Sequence, residues 1–139
     1  MIYLVREADA GDARSWPGPD MLRPITKEGW RQARALVTLL EGFEVDCVVS
    51  SPWLRCRQTV SPLAEQRGLE VKTDRLLSDC FSIERAMAVL DRIGERPALV
   101  CTHTDVMAAL IERLESAPIR AEAGSWLRAI KPGHLGVAS

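Results

Sequence analysis

Residues 2–12 read IYLVREADAGD, and the abrupt change at residue 6 organises the reading of the whole chain. Ile2 to Val5 is a continuous apolar run too short for a helix, so it predicts a strand buried on both faces. Arg6 and Glu7 end it, and small and acidic residues follow. The same form recurs in VDCVVSSP at 45–52 and ALVCTHTD at 98–105, each an apolar run stopped by polar residues. LEVKT at 69–73 predicts a shorter strand, and residues 125–130 a last one.

Helical spacing fills the intervals. Thr26 is the predicted N-cap of a helix reaching Leu40, with Trp30, Ala33, Val37 and Leu40 as its apolar face. A second helix starts near Trp53, and Pro62 is expected to break it. Ile83, Ala86, Met87, Leu90 and Ile93 share one face of a third, and Val106, Met107, Leu110, Ile111 and Leu114 one face of a fourth. Alternating strands and helices, with continuous apolar strands, predict an α/β fold: a mostly parallel central sheet with helices on both faces, a three-layer α/β/α sandwich. The tail from Pro132 onward is expected to be loose.

The length of 139 residues predicts one domain spanning 1–139, large enough to bury a core without staples. A net charge of -1 lacks the basic surplus that nucleic-acid binding needs, so that partner is set aside. No apolar run approaches the roughly 18 residues that span a bilayer, and the first run lacks the basic leader of a signal peptide. The four cysteines, Cys47, Cys56, Cys80 and Cys101, form no C-x-x-C pair, and no histidine stands at metal-ligand spacing from them. They read as reduced thiols of a cytoplasmic protein, with no metal or organic cofactor implied. Oligomeric state is not legible.

In such a sheet, ligands bind beyond the carboxyl ends of the strands. Arg6 and Glu7 stand at the first end. Ser50, Ser51 and Pro52 stand at the second, with Arg55 and Arg57 one turn on. Thr102, His103, Thr104 and Asp105 stand at the fourth. His134 lies in the tail and reads as a surface residue. Each of the others has an ordinary alternative: Arg6 a solvated strand end, Arg55 and Arg57 an exposed helical face, His103 a helix cap. Together at three strand ends they form a pattern that the separate alternatives do not explain. Guanidinium forks and the start of a helix near Trp53 suit a phosphoryl group.

The segments YLVREADAGD, LRPITKEGWRQA, VVSSPWLRCRQTVSPLAE, TDRLLSD, ALVCTHTDV and GSWL together resemble the histidine phosphatase, phosphoglycerate mutase-like superfamily. The resemblance runs from Ile2 to about Trp126, on the small SixA-like branch of phosphohistidine phosphatases. It extends to the histidine-phosphatase domain of some MutT-type Nudix proteins. It implies a phosphoglycerate mutase-like fold and a histidine nucleophile directly after the first-strand arginine. Arg6, Arg55 (the arginine of R-x-x-Q-T) and His103 match the family's phosphoryl ligands, and Asp79 falls near its usual acid. The implied guest is phosphate or a phosphomonoester, with a protein phosphohistidine or a nucleotide phosphate suited to the short loops.

The nucleophile position departs from the pattern, because Glu7 stands where the family has histidine. A carboxylate adds negative charge where a phosphate dianion sits; two unit charges about 4 Å apart repel by roughly 4 kcal/mol at an effective dielectric of 20. Inactive or strongly impaired phosphatase chemistry is therefore expected. Three origins are open: a natural pseudophosphatase, an introduced substitution, or altered chemistry with Glu7 as base or nucleophile. The alternative function is an anion-binding or partner-docking module. Glu7 is further expected to turn into the pocket, within reach of an arginine or of His103. The loop from Asp12 to Arg23 is expected at the pocket mouth, with Trp16 as a lining or packing residue.

Overall fold

A computed structural model describes residues 1–78, 82–114, 116–120 and 123–130. Asp79, Cys80 and the tail with His134 lie outside the described residues. Among the described residues there are six strands: β1 (Ile2–Arg6), β2 (Cys47–Ser50), β3 (Val71–Thr73), β4 (Ala98–Thr102), β5 (Ala117–Pro118) and β6 (Leu127–Ile130). Four α-helices accompany them there: α1 (Lys27–Leu39), α2 (Leu54–Arg67), α3 (Ile83–Ile93) and α4 (Thr104–Arg113). The sheet order is β3-β2-β4-β1-β6-β5. β1 to β4 are parallel, β6 runs antiparallel to β1, and β5 antiparallel to β6.

The topology explains the layers. Chain order moves across the sheet in one direction through α1 and α2, then returns through α3 and α4. Right-handed crossovers between parallel strands, in opposite directions, place α1 and α2 on one face and α3 on the other, where α4 packs beside α3. The strands record this residue by residue. Ile2 and Leu4 of β1, with Ala98 and Val100 of β4, pack against Ala86, Leu90 and Leu110. Tyr3 and Val5, with Leu99 and Cys101, pack against Leu36, Val60 and Leu63. Both strands thus bury successive residues on alternate faces.

Three expectations change in detail. The helix carrying Pro62 is not broken there, and α2 continues to Arg67. Pro62 cannot donate to the Gln58 carbonyl, but the Ser61 hydroxyl donates to that oxygen at 3.0 Å, so the acceptor is not orphaned. The innermost stripe of α1 is Gly29, Ala33, Leu36 and Leu39; Trp30 and Val37 are only half-buried. Thr26 caps this helix as expected, its Oγ1 accepting the Gly29 N–H at 3.1 Å. Finally, β6 begins at Leu127 after a short 3-10 turn at Gly124–Trp126.

Candidate functional site

The carboxyl ends of β1, β2 and β4 are adjacent in the sheet, and the segments leaving them surround a cavity of about 610 Å³. Glu7, Asp20, Trp53, Arg55, His103 and Thr104 are among its lining residues. Two helices start there. α2 is capped at Trp53 and α4 at His103, both with extended backbone, and neither receives a side-chain capping bond. Their positive dipole ends stay available to an anion, with the first-turn N–H groups other than that of Val106, which donates to Asp105 Oδ1 at 2.9 Å, and that of Cys56, which donates to the Trp53 carbonyl at 3.0 Å.

Long-range hydrogen bonds hold the walls. The Ala8 N–H donates to Thr59 Oγ1 at 2.8 Å, and that hydroxyl donates to the Arg55 carbonyl at 2.7 Å. Gln58 Oε1 accepts the Ile25 N–H at 2.9 Å. Gln58 and Thr59 of the R-x-x-Q-T run thus fasten α2 to the two loops it faces. His103, only 9% exposed, does not cap its own helix: Nε2 lies 2.9 Å from Ser51 Oγ and 4.0 Å from Cys56 Sγ. The Trp53 ring meets the imidazole edge-on at 5.2 Å.

Arg55 is buried, and its charge is already engaged. Nη1 donates to the Asp20 carbonyl at 3.0 Å, Nη2 lies 3.4 Å from Asp20 Oδ2, and the guanidinium sits 4.6 Å from the Trp53 ring centroid. Asp20 was absent from the residues expected here. Only its place in the loop at the pocket mouth hinted at it, since a lone aspartate in a Pro/Gly-rich loop has no local signature. Trp16 turns to that loop instead, donating from Nε1 to the Pro19 carbonyl at 3.0 Å. Arg6 is exposed and does not line the main cavity; it borders two smaller depressions, one with Gln32 and Trp126, the other with Met107 and Ile111. Arg57 donates to the Pro52 carbonyl on the exposed side of α2. Ser78 reaches the wall, while Asp79 lies outside the described residues.

Glu7 turns into the cavity, as expected, but its partner is Thr104 rather than an arginine or histidine. Thr104 Oγ1 donates to Oε1 at 3.4 Å, a long bond, while Oε2 is buried with no hydrogen-bond partner among the described residues. Among the described residues, Glu7, Cys56 and His103 offer oxygen, sulfur and nitrogen atoms all within 4.8 Å of one another.

The electrostatics follow from this grouping. Burial pushes the His103 pKa down, but the Cys56 sulfur and the Glu7 carboxylate outweigh it, so the pKa is raised despite opposition from Arg55. A hydrogen bond from Cys101 and the neighbouring His103 pull the Cys56 thiol down to about 6 against the effect of burial. Burial and the Cys56 charge push the Cys101 thiol up. A hydrogen bond from Arg23 holds the Asp20 carboxyl below its usual range, with Arg55 adding to it.

Residues 2–82 match the family described as the histidine phosphatase superfamily (branch 1). The chain belongs to this superfamily. It is 30% identical to the 8-oxo-(d)GTP phosphatase of Mycolicibacterium smegmatis, across 96% of its own length but only 45% of that protein. It therefore spans less than half of that relative. It is 28% identical to phosphohistidine phosphatase SixA of Escherichia coli, covering 81% of this chain and 73% of SixA. The structure of the protein histidine phosphatase SixA complexed with tungstate superposes with a TM-score of 0.71 over 81% of this chain and 75% of that one, at 24% identity, which shows the shared fold. The phosphoglycerate mutase-like architecture and the SixA-like branch expected from the motifs hold. No helix among the described residues is long and apolar enough to cross a membrane.

Proposed function

We propose that this histidine-phosphatase domain retains a phosphoryl-binding pocket but has inactive or strongly impaired phosphatase chemistry, because Glu7 stands at the nucleophile position. The observation that carries this reading is the Glu7 carboxylate lining the same cavity as Arg55 and His103. Arg55, His103 and the two uncapped helix starts bind the anion. Arg6 joins them by moving its exposed side chain, and Asp79 is the candidate acid. The guest is phosphate or a phosphomonoester; the names of the two relatives support a phosphohistidine protein or a nucleotide phosphate as its source. The free thiols of Cys47, Cys56 and Cys101 support a reducing, cytoplasmic compartment. A second reading, an anion-binding or partner-docking module without turnover, is favoured by the uncapped helix starts, which bind an anion with no nucleophile.

Turnover of an aryl phosphate and binding of inorganic phosphate, in the unsubstituted chain and in Glu7→His, test this. The unsubstituted chain should bind phosphate saturably with little or no turnover. Glu7→His should turn over through a phosphoenzyme labile in acid and stable in alkali, and adding Arg55→Ala should suppress it. Ready turnover by the chain with Glu7, lost in Arg55→Ala, would overturn the impaired reading. A folded, phosphate-binding Glu7→His with neither turnover nor phosphoenzyme would leave the module reading.

A further inference from the structure

We propose that Glu7, Cys56 and His103 form a three-ligand site for Zn²⁺ at the wall of this cavity. The proposal goes beyond the phosphoryl reading and stands without it, since neither the ligand set nor its test involves phosphate. The three residues are far apart in sequence and come from the end of β1, the first turn of α2 and the end of β4. No local spacing announces them, so the sequence pattern implied no metal. The fold nevertheless brings one carboxylate, one thiol and one imidazole to within 4.8 Å of one another.

Geometry is the first argument. Zinc–ligand bonds of about 2.0–2.3 Å in a tetrahedron separate ligand atoms by about 3.3–3.8 Å. The Cys56 Sγ to His103 Nε2 distance of 4.0 Å is already close to this, and a set spanning no more than 4.8 Å needs a contraction of about 1.5 Å or less. Nε2 would exchange the Ser51 hydroxyl for the metal, and Ser51 Oγ would keep the Trp53 N–H it accepts at 3.3 Å.

Unsatisfied chemistry is the second. Glu7 Oε2 is buried with no hydrogen-bond partner among the described residues, a costly state for a carboxylate oxygen that a cation would relieve. A thiolate, a carboxylate and a neutral imidazole around a dication sum to zero charge, so the occupied site is cheap to bury. Binding releases the Cys56 proton to solvent, as zinc thiolate ligation requires.

The donor set selects the ion. Magnesium and calcium prefer oxygen throughout, whereas sulfur with imidazole and carboxylate suits zinc. Cys56 is fully buried while Glu7 and His103 line the cavity. The fourth coordination position therefore faces the cavity, where it is open to water or an anionic oxygen, and the metal offsets the negative charge that Glu7 brings there.

The test uses the full chain, stripped with a chelator and titrated with Co²⁺ and then Zn²⁺ in phosphate-free buffer. One equivalent of Co²⁺ should bind with a near-ultraviolet thiolate-to-cobalt charge-transfer band. Zn²⁺ should displace it, and Mg²⁺ should not. Cys56→Ser should abolish the band and Cys47→Ser should leave it. Glu7→Gln should keep the band but weaken Zn²⁺ binding by more than about tenfold, since losing even an outer partner of a ligand costs about that much. X-ray absorption of the zinc-loaded chain with Glu7 needs no variant: one sulfur among nitrogen and oxygen neighbours is expected. No stoichiometric binding, a band that survives Cys56→Ser, affinity unchanged in Glu7→Gln, or a shell with no sulfur or two would overturn the assignment.

Discussion

Ser51 Oγ lies 2.9 Å from His103 Nε2, joining the residue that follows β2 to the residue that follows β4. Cys101 of β4 extends the junction, its carbonyl accepting the Ser51 N–H at 3.0 Å. The imidazole is therefore held by a neighbouring strand end rather than by its own helix. That contact, with the Trp53 ring and Cys56 beside it, fixes the orientation of the His103 imidazole.

His103 should titrate above the usual histidine value, and Glu7→Gln should lower its pKa. The Cys56 sulfur and the Glu7 charge outweigh burial when Glu7 is present, and the variant removes one of them. The raised pKa means that the folded state binds this proton more tightly than the unfolded state. Its contribution to stability is complete below the unfolded value of about 6.5 and fades as pH rises through the folded value. NMR titration of the imidazole in both proteins reads the shift, and an equal or higher value in the variant would refute it.

Asp20 should compete with bound phosphate for Arg55. Its carboxylate and carbonyl both contact the guanidinium, but 43% of the Asp20 side chain is exposed, so the ion pair is weak. Asp20→Ala should tighten phosphate binding by about two- to fivefold, consistent with an ion pair worth up to about 1 kcal/mol. Arg55→Ala should weaken binding in either background. Calorimetric titration with inorganic phosphate checks both, and unchanged affinity in Asp20→Ala would count against the competition.

Thr59 should matter more for stability than its size suggests. Its buried hydroxyl accepts the Ala8 N–H and donates to the Arg55 carbonyl. Thr59→Val keeps the shape and strands the Ala8 donor, at an expected cost of about 1–3 kcal/mol. Thr59→Ser keeps the hydroxyl and should lose less. Urea unfolding of the two variants separates the hydrogen bond from packing, because equal losses would assign the effect to the missing methyl.

Gly29 should not tolerate a side chain. A Cβ there would meet the Asp9 carbonyl oxygen and lie 2.8 Å from Ile25 Cβ. The Asp9 carbonyl also accepts the Thr26 N–H at 2.8 Å, so relief would have to move the loop that leaves Glu7. Gly29→Ala should cost about 1–3 kcal/mol, as overpacking does, despite the better helix propensity of alanine. A melting temperature equal to or above that of the unsubstituted chain would contradict this.

Much of the architecture is encoded locally. An apolar run that stops at a charge is legible from neighbours one or two positions away, and a helical face from neighbours three or four away. The parallel strands, the helix cap at Thr26 and the gathering of Arg55, His103 and Glu7 beyond the strand ends follow from such patterns. The motif match to the superfamily adds the family to which these elements belong. Partnerships across the sheet are not encoded this way. Asp20 reaching Arg55, Cys56 facing His103 and Ser51 orienting the imidazole each depend on which strands lie side by side, and β4 enters between β1 and β2 only after the chain has turned back. Pro62 is the local counterpart: its breaking signal is real, but a neighbouring hydroxyl and a buried helical face override it. Residue types along the chain therefore determine the elements and the chemistry available, while the order of strands decides which groups meet, because contact energies between distant residues exist only after the crossovers have packed.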